Sequence, residues 1–307
     1  MGDRSATTQT ESGVIGCTEA RAAQFFDLLD RLENDDDVEL IHDVRVASRR
    51  LGEALGVLGS DATAEGLPRF RAWLREIRGL LAPVRDADVN RQVLVDLVGG
   101  EEKLASIPAG VGFAEMLGRR RRYHLIDARF QLQADVVAER REELARILAE
   151  AVNRAGSAAT LETALDRRLR RRVGRRRRAF RQSARRAARS GRPRRLHATR
   201  IAGKKIRYAL ELAHDAQVLN AKGEVKWLRR IQDALGDLND ATVLDRRMKV
   251  FAEQADPERL AGMGKIASRI KRRQRRLIKR FVGDWPGVRR RLRRAKARRT
   301  PGPNPSA

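Results

Sequence analysis

The sequence predicts an all-α protein, and three observations carry that expectation. Apolar residues recur at three- and four-residue spacing through almost every segment. Proline is sparse, at nine in 307 residues. No convincing run of alternating β-branched residues occurs.

Taken in order, helices are expected over Thr18–Glu33 and Val38–Gly59, parted by the turn-forming Asn34–Asp37. Gly59–Ser60 ends the second. Leu67–Leu81 and Arg85–Val98 follow, and Gly99–Gly100 stops the latter. Beyond the break at Ile107–Gly110 come Gly112–Ala134 and Val136–Ala155. Ala155–Ala158 precedes a long basic helix, Leu161–Ser190, which Ser190–Pro193 closes. The remainder reads as Leu196–Ala213, Lys222–Leu235, Asp240–Gln254, Pro257–Val282 and a short Val288–Arg298. Residues 1–16 and 298–307 read as a disordered lead-in and tail.

The net charge is +27 and the isoelectric point about 11.5. Such a surface attracts polyanions, meaning nucleic acid, anionic membrane or polyphosphate. Hydrophobic residues make up 41%, enough for a core, so this is not a disordered basic tail. Aromatics at 4% supply few platforms for stacking single-stranded bases. Cys17 is the only cysteine, which excludes an internal disulfide and a Cys-based zinc site. No apolar run reaches the length of a membrane span, and the N-terminus lacks the apolar stretch of a signal peptide. A cytoplasmic setting is expected.

The main organisational feature is a repeat. IHDVRVASRRL at Ile41–Leu51 returns as LHATRIAGKKI at Leu196–Ile206, with His42 and His197 155 positions apart. Arg45 matches Arg200, Arg49 matches Lys204 and Arg50 matches Lys205. A second pair follows: LREIRGLLAPVRDADV from Leu74 and LRRIQDALGDLNDATV from Leu228 align Asp86 with Asp240. Two matched helices in the same order argue for a duplicated unit, with halves at roughly 17–155 and 159–297.

On a helical wheel Ile41, Val44, Ser48, Leu51, Leu55 and Leu58 form one stripe that should face the core. His42, Arg45 and Arg49 form another, about 130° around, flanked by Arg50. In the second copy His197, Arg200 and Lys204 share the corresponding face, flanked by Lys205, Arg207 and Tyr208. Basic stripes are usually solvated faces. Here the stripe recurs, and like charges at i, i+4 destabilise a helix unless an anion compensates them. Glu53 and Glu211 offer only partial relief. The two helices are expected to line a shared groove whose guanidinium forks suit phosphate.

These motifs carry a family resemblance. IHDVRVASRRL and GLLAPVRDADV, then LHATRIAGKKIRYALEL and IQDALGDLNDATVL, resemble the CHAD (conserved histidine α-helical domain) family over about residues 17–297. The resemblance implies two helical bundles related by a pseudo-two-fold axis, with inorganic polyphosphate bound in a basic central channel. Some members localise to polyphosphate granules. It carries anion binding onto His42, Arg45, Arg49, Arg50, His197, Arg200, Lys204 and Lys205, with Arg207 and Tyr208 also in the pattern. Arg75, Arg78, Arg119, Arg120 and Arg122 match more loosely. Gly52 and Gly56 depart from it, where better helix formers are expected; they would allow close helix packing or close approach of a ligand. The chain has no room for the triphosphatase-type catalytic domain that some relatives carry.

The remaining features stay open between ordinary and functional readings. The histidines are structural or touch phosphate; no recurring carboxylate marks a metal site, and no cofactor is expected. Asp86 and Asp240 cap helices or pair with a groove arginine, rather than holding metal for catalysis. The arginine-rich Arg167–Arg195 is a solvated helix or an extra polyanion surface. The expected function is non-enzymatic polyphosphate binding. The alternatives are a nucleic-acid-binding protein and, behind it, a polyphosphate or phosphoester hydrolase.

Overall fold

A computed structural model of the protein describes residues 13–59 and 66–297. Eleven α-helices and one 3-10 turn occupy these residues, with no strand among them. They are α1 (Val14–Leu32), α2 (Val38–Leu58), α3 (Gly66–Leu80), α4 (Ala82–Val98), α5 (Glu101–Ala105), α6 (Pro108–Gln131), α7 (Ala134–Ala155), α8 (Ala158–Ser190), α9 (Pro193–Asp215), α10 (Lys222–Gln254) and α11 (Met263–Ala297). The 3-10 turn at Pro257–Leu260 precedes α11. The lead-in at 1–12 and the tail at 298–307 lie outside the described residues. Residues 14–16 form the first turn of α1.

The helix starts follow local chemistry. The Asp37 side chain accepts hydrogen bonds from the backbone N–H groups of Glu39 (2.6 Å) and Leu40 (3.1 Å), capping α2. Ser157 caps α8 by accepting from the Thr160 N–H at 3.2 Å. The α8–α9 turn, which sets the angle of the second repeated helix, depends on Gly191. At φ 58° it donates its N–H to the Ala187 carbonyl at 2.8 Å, and Pro193 then opens α9.

Three differences from the sequence reading have physical causes. The expected break before Asp240 is absent, and α10 runs unbroken from Lys222 to Gln254. Leu235, Leu238, Ala241 and Leu244 keep one buried stripe through the Gly236–Asp240 stretch, so burial overrides weak local propensity. N-capping by Asp86 and Asp240 is therefore not their role, since both sit inside helices. The helix expected at Pro257–Val282 is split by Gly262, at φ 85°, and then continues past Val282 as α11. Helix α5, five residues long, is too short to show a period.

The α2 apolar stripe is buried as the wheel requires: Ile41, Val44, Ser48, Leu51, Leu55 and Leu58 are all fully buried. It packs on an aromatic cluster of Phe25, Phe26, Phe70 and Trp73 from α1 and α3. The same core takes in Leu165, Leu169 and Phe180 of α8, Ile206 and Leu210 of α9, and Leu228 of α10. A second core joins Leu94, Phe113 and Leu117 to Leu244, Met248, Phe251 and Ile266. Both cores draw on the segments before and after residues 155–159, and α2 packs directly on α9.

Candidate anion-binding cluster

The contact of α2 with α9 brings one basic face of each repeated helix together, and α3 and α4 add to it. Arg45 donates to the Arg78 carbonyl, and Arg78 donates back across the α2–α3 contact to the Ser48 carbonyl at 3.2 Å. Arg49 donates to the Arg45 carbonyl at 3.3 Å. These bonds orient guanidinium groups without neutralising them. Among the described residues, Arg45, Arg49, Arg75, Arg78, Arg85, Arg200 and Lys204 have no carboxylate within ion-pair distance.

The electrostatics show how tightly the group is drawn together. Burial, with Arg49 next, pushes Arg45 down to about 10. Burial, then Arg49 and Arg75, pushes Arg78 down to about 10. Burial, reinforced by Arg200, Arg49 and Arg207, pushes Lys204 down to about 7. Arg200 is lowered by burial first, its attraction to Asp240 notwithstanding, and its Nε lacks a hydrogen-bond partner. His42 is lowered by burial and by Arg85. Arg49 of the first copy thus acts on Arg200 and Lys204 of the second.

Other expected positions behave differently. Arg50 and Arg207 turn to the buried Glu211, at 3.5 and 3.2 Å, and Arg229 joins them at 3.2 Å. Tyr208 is buried, with the Arg207 guanidinium 4.7 Å from its ring centre. Arg75 and Lys205 are exposed. His197 is exposed and shares a 2.8 Å hydrogen bond between its Nδ1 and Asn239 Oδ1, so the two repeated histidines do not have equivalent surroundings. Arg119, Arg120 and Arg122 are exposed on α6, and among the described residues no ion pair joins them to the cluster.

Asp86 meets Arg247 of α10 at 2.9 Å, an arginine outside the expected groove set, so the pairing it forms is not the one expected. Arg85, beside it in VRDADV, belongs to the cluster but was passed over in the sequence. Its charge acts on His42 and Arg45. Nothing local to that motif separates the two neighbours.

The arginine-rich α8 divides by face. Arg172 grips Glu53 at 2.5 and 3.2 Å, Arg176 adds a third contact at 3.3 Å, and Arg177 grips Glu224 at 3.1 and 2.5 Å. Arg168 donates to the Leu58 carbonyl at the end of α2. These arginines fasten α8 to its neighbours. Gly56 makes room for one of them: a Cβ there would lie 2.5 Å from Arg172 Nη2. The close approach at Gly56 is therefore made by the chain's own arginine. On the outer face Arg167, Arg171, Arg175, Arg178, Arg185 and Arg189 are exposed.

The described residues form an all-helical frame that gathers cations without ion-pair partners at the α2–α9 contact. Residues 18–249 match the CHAD domain, and the chain belongs to the CHAD family. The crystal structure of the CHAD domain from the plant Ricinus communis has the same fold, with a TM-score of 0.61 at 19% identity over 92% of this chain and 93% of that one. No curated protein matches. No helix among the described residues is long and apolar enough to cross a membrane.

Proposed function

We propose that the protein binds inorganic polyphosphate through the cluster of His42, Arg45, Arg49, Arg78, Arg85, Arg200 and Lys204. One observation carries the reading: half-buried cations from both repeated helices converge with no carboxylate within ion-pair distance, and the more distant Asp86 and Asp240 offset the burial of Arg45, Arg200 and Lys204 only in part. Placing Arg49, Arg200 and Lys204 together is unfavourable in the empty protein, and a string of phosphates reverses the sign of that energy. Each phosphate neutralised also releases a counterion. The cluster presents donors at successive helical turns and nothing shaped to read a base edge, which suits a repetitive chain. In this reading the role is binding rather than turnover, with Asp86 bonded to Arg247. A cytoplasmic setting, with association to polyphosphate granules, belongs to the same reading.

A second reading, duplex nucleic acid, is favoured by the outer arginines of α8. Competition separates the two. Polyphosphate affinity at about 0.15 M salt is measured with duplex DNA as competitor, on the wild type and on Arg45→Glu/Arg49→Glu/Arg200→Glu/Lys204→Glu. Loss of polyphosphate binding in a folded quadruple variant supports the proposal. Unchanged affinity sinks it, and equal displacement by DNA moves the second reading ahead.

A further inference from the structure

Two surface features lie outside the cationic cluster. The first is a ridge on α6. Tyr123, Ile126 and Phe130 are 70%, 68% and 72% exposed, far more than the other large apolar side chains of the described residues. They stand at i, i+3 and i+7 on one face of the helix. Arg119 and Arg122 continue that face toward the helix start, and exposed Arg120 borders it. None of these three arginines has a carboxylate partner among the described residues.

The second feature is a groove of about 610 Å³ between α1 and α7. Its walls are small, Ala22, Ala23, Ala145 and Ala149, over a floor of Phe26, Leu144 and Leu148. Its α1 rim carries Glu19, Asp27 and Asp30; the α7 rim carries Arg141, which pairs with Asp30 at 2.6 Å. On a chain of net charge +27 this is a locally acid-rich place.

We propose that the α6 ridge of one copy docks in the α1–α7 groove of a second. The lengths agree. Arg119 to Phe130 and Glu19 to Asp30 are each twelve residues, eleven steps or about 16 Å of helix. Laid antiparallel to α1, the ridge sets its arginine end against Asp27 and Asp30. Phe130 then reaches toward Glu19 and Val152. A row of large side chains entering a trough between two helices is ordinary helix packing. Parallel ridge-to-ridge contact is disfavoured, because Arg119, Arg120 and Arg122 would meet their own duplicates. The groove supplies the opposite charge. This contact does not depend on the polyphosphate reading.

Sedimentation velocity over a concentration series at about 0.15 M salt, where repulsion is screened beyond about 8 Å, tests it. Wild type should associate as concentration rises. A ridge variant (Tyr123→Ser/Ile126→Ser/Phe130→Ser) and a groove variant (Ala145→Arg/Ala149→Arg) should each lose the associated species. All five positions are exposed, and helix content and thermal melts verify folding; Asp27→Arg at the rim serves if the groove variant misfolds. An equimolar mixture of ridge and groove variants should recover a 1:1 complex, since one intact ridge and one intact groove remain. A wild type that stays monomeric, or a mixture that does not pair, overturns the proposal. So does ridge-dependent binding to phosphatidylserine vesicles without self-association, which would assign the ridge to a lipid surface.

Discussion

Arg49 of α2 and Lys204 of α9, one from each copy of the repeated helix, share a half-buried site in which the arginine's charge helps hold the ammonium down to about 7. Burial contributes most, and Arg200 adds to it. An unfolded lysine titrates near 10.4. Phosphate oxygens favour the charged form, so binding must raise the Lys204 value. Below about pH 7 the ammonium is already present and affinity should be flat. Above it the empty protein loses the proton, and affinity should fall by up to about tenfold per pH unit. Calorimetry of polyphosphate binding at pH 8 in two buffers of different ionisation enthalpy should show proton uptake. Lys204→Arg should abolish both the uptake and the slope; a slope that survives it would place the titration elsewhere.

The same residue sets a stability trend in the empty protein. Below about pH 7 Lys204 is protonated folded and unfolded, and its burial is fully penalised. Between about 7 and 10 the folded state releases the proton while the unfolded state keeps it, so stability should rise with pH over that window. Urea midpoints at pH 6.5 and 9 for wild type and Lys204→Met measure this. The variant should be more stable at pH 6.5 and should lose part of the rise. Parallel trends in both proteins would exclude Lys204 as its source.

Much of this was legible in the sequence, for a definite reason. The buried stripe Ile41–Leu58 follows from a 3.6-residue period, and so do Arg45 and Arg49 on the adjacent face. What period cannot show is which basic residue finds an acid. Arg49 and Arg50 are neighbours in one RR pair, yet Arg50 meets Glu211, which is 161 positions further on. Arg172 and Arg175 read alike until Glu53 is placed beside the first. Arg85 joins the cluster only because α4 packs on α2. Its importance is a property of tertiary contact.

That division of arginines predicts opposite behaviour for adjacent residues. Arg49→Ala should weaken polyphosphate binding and lower the log–log salt slope by about 1. Arg50→Ala should leave the slope unchanged and reduce stability through the loss of one of Glu211's three arginine partners. Affinity measured across a salt series, with a urea melt for each variant, distinguishes them. Equal salt slopes for the two variants would refute the division.

Glu211 gives the complementary prediction. Its carboxylate is buried and receives Arg50, Arg207 and Arg229. Removing one member of a buried ion pair costs roughly 3–5 kcal/mol. Arg50 and Arg229 are partly solvated, which screens part of that loss. Glu211→Gln should therefore lower unfolding free energy by about 2 kcal/mol. Polyphosphate affinity should not fall, since the released arginines add to the positive field. Weaker binding in a stable variant would show that Glu211 orients the ligand site.

Gly56 and Arg172 should show coupling with a change of sign. Glycine inside a helix is about 1 kcal/mol less favourable than alanine, so Gly56→Ala ought to help α2. In the intact protein it should do the reverse. The new methyl would lie 2.5 Å from Arg172 Nη2, and that guanidinium is not free to swing away. Its Nε donates to Glu53 Oε1 at 2.5 Å and its Nη1 to the Gly56 carbonyl at 3.0 Å. Displacing it leaves the buried Glu53 leaning on Arg176 alone. In an Arg172→Ala background that conflict is gone, and Gly56→Ala should stabilise by up to about 1 kcal/mol. A double-mutant cycle of urea melts measures the coupling. Stabilisation in both backgrounds would mean that Arg172 moves aside without loss, and that Gly56 is not there to admit it.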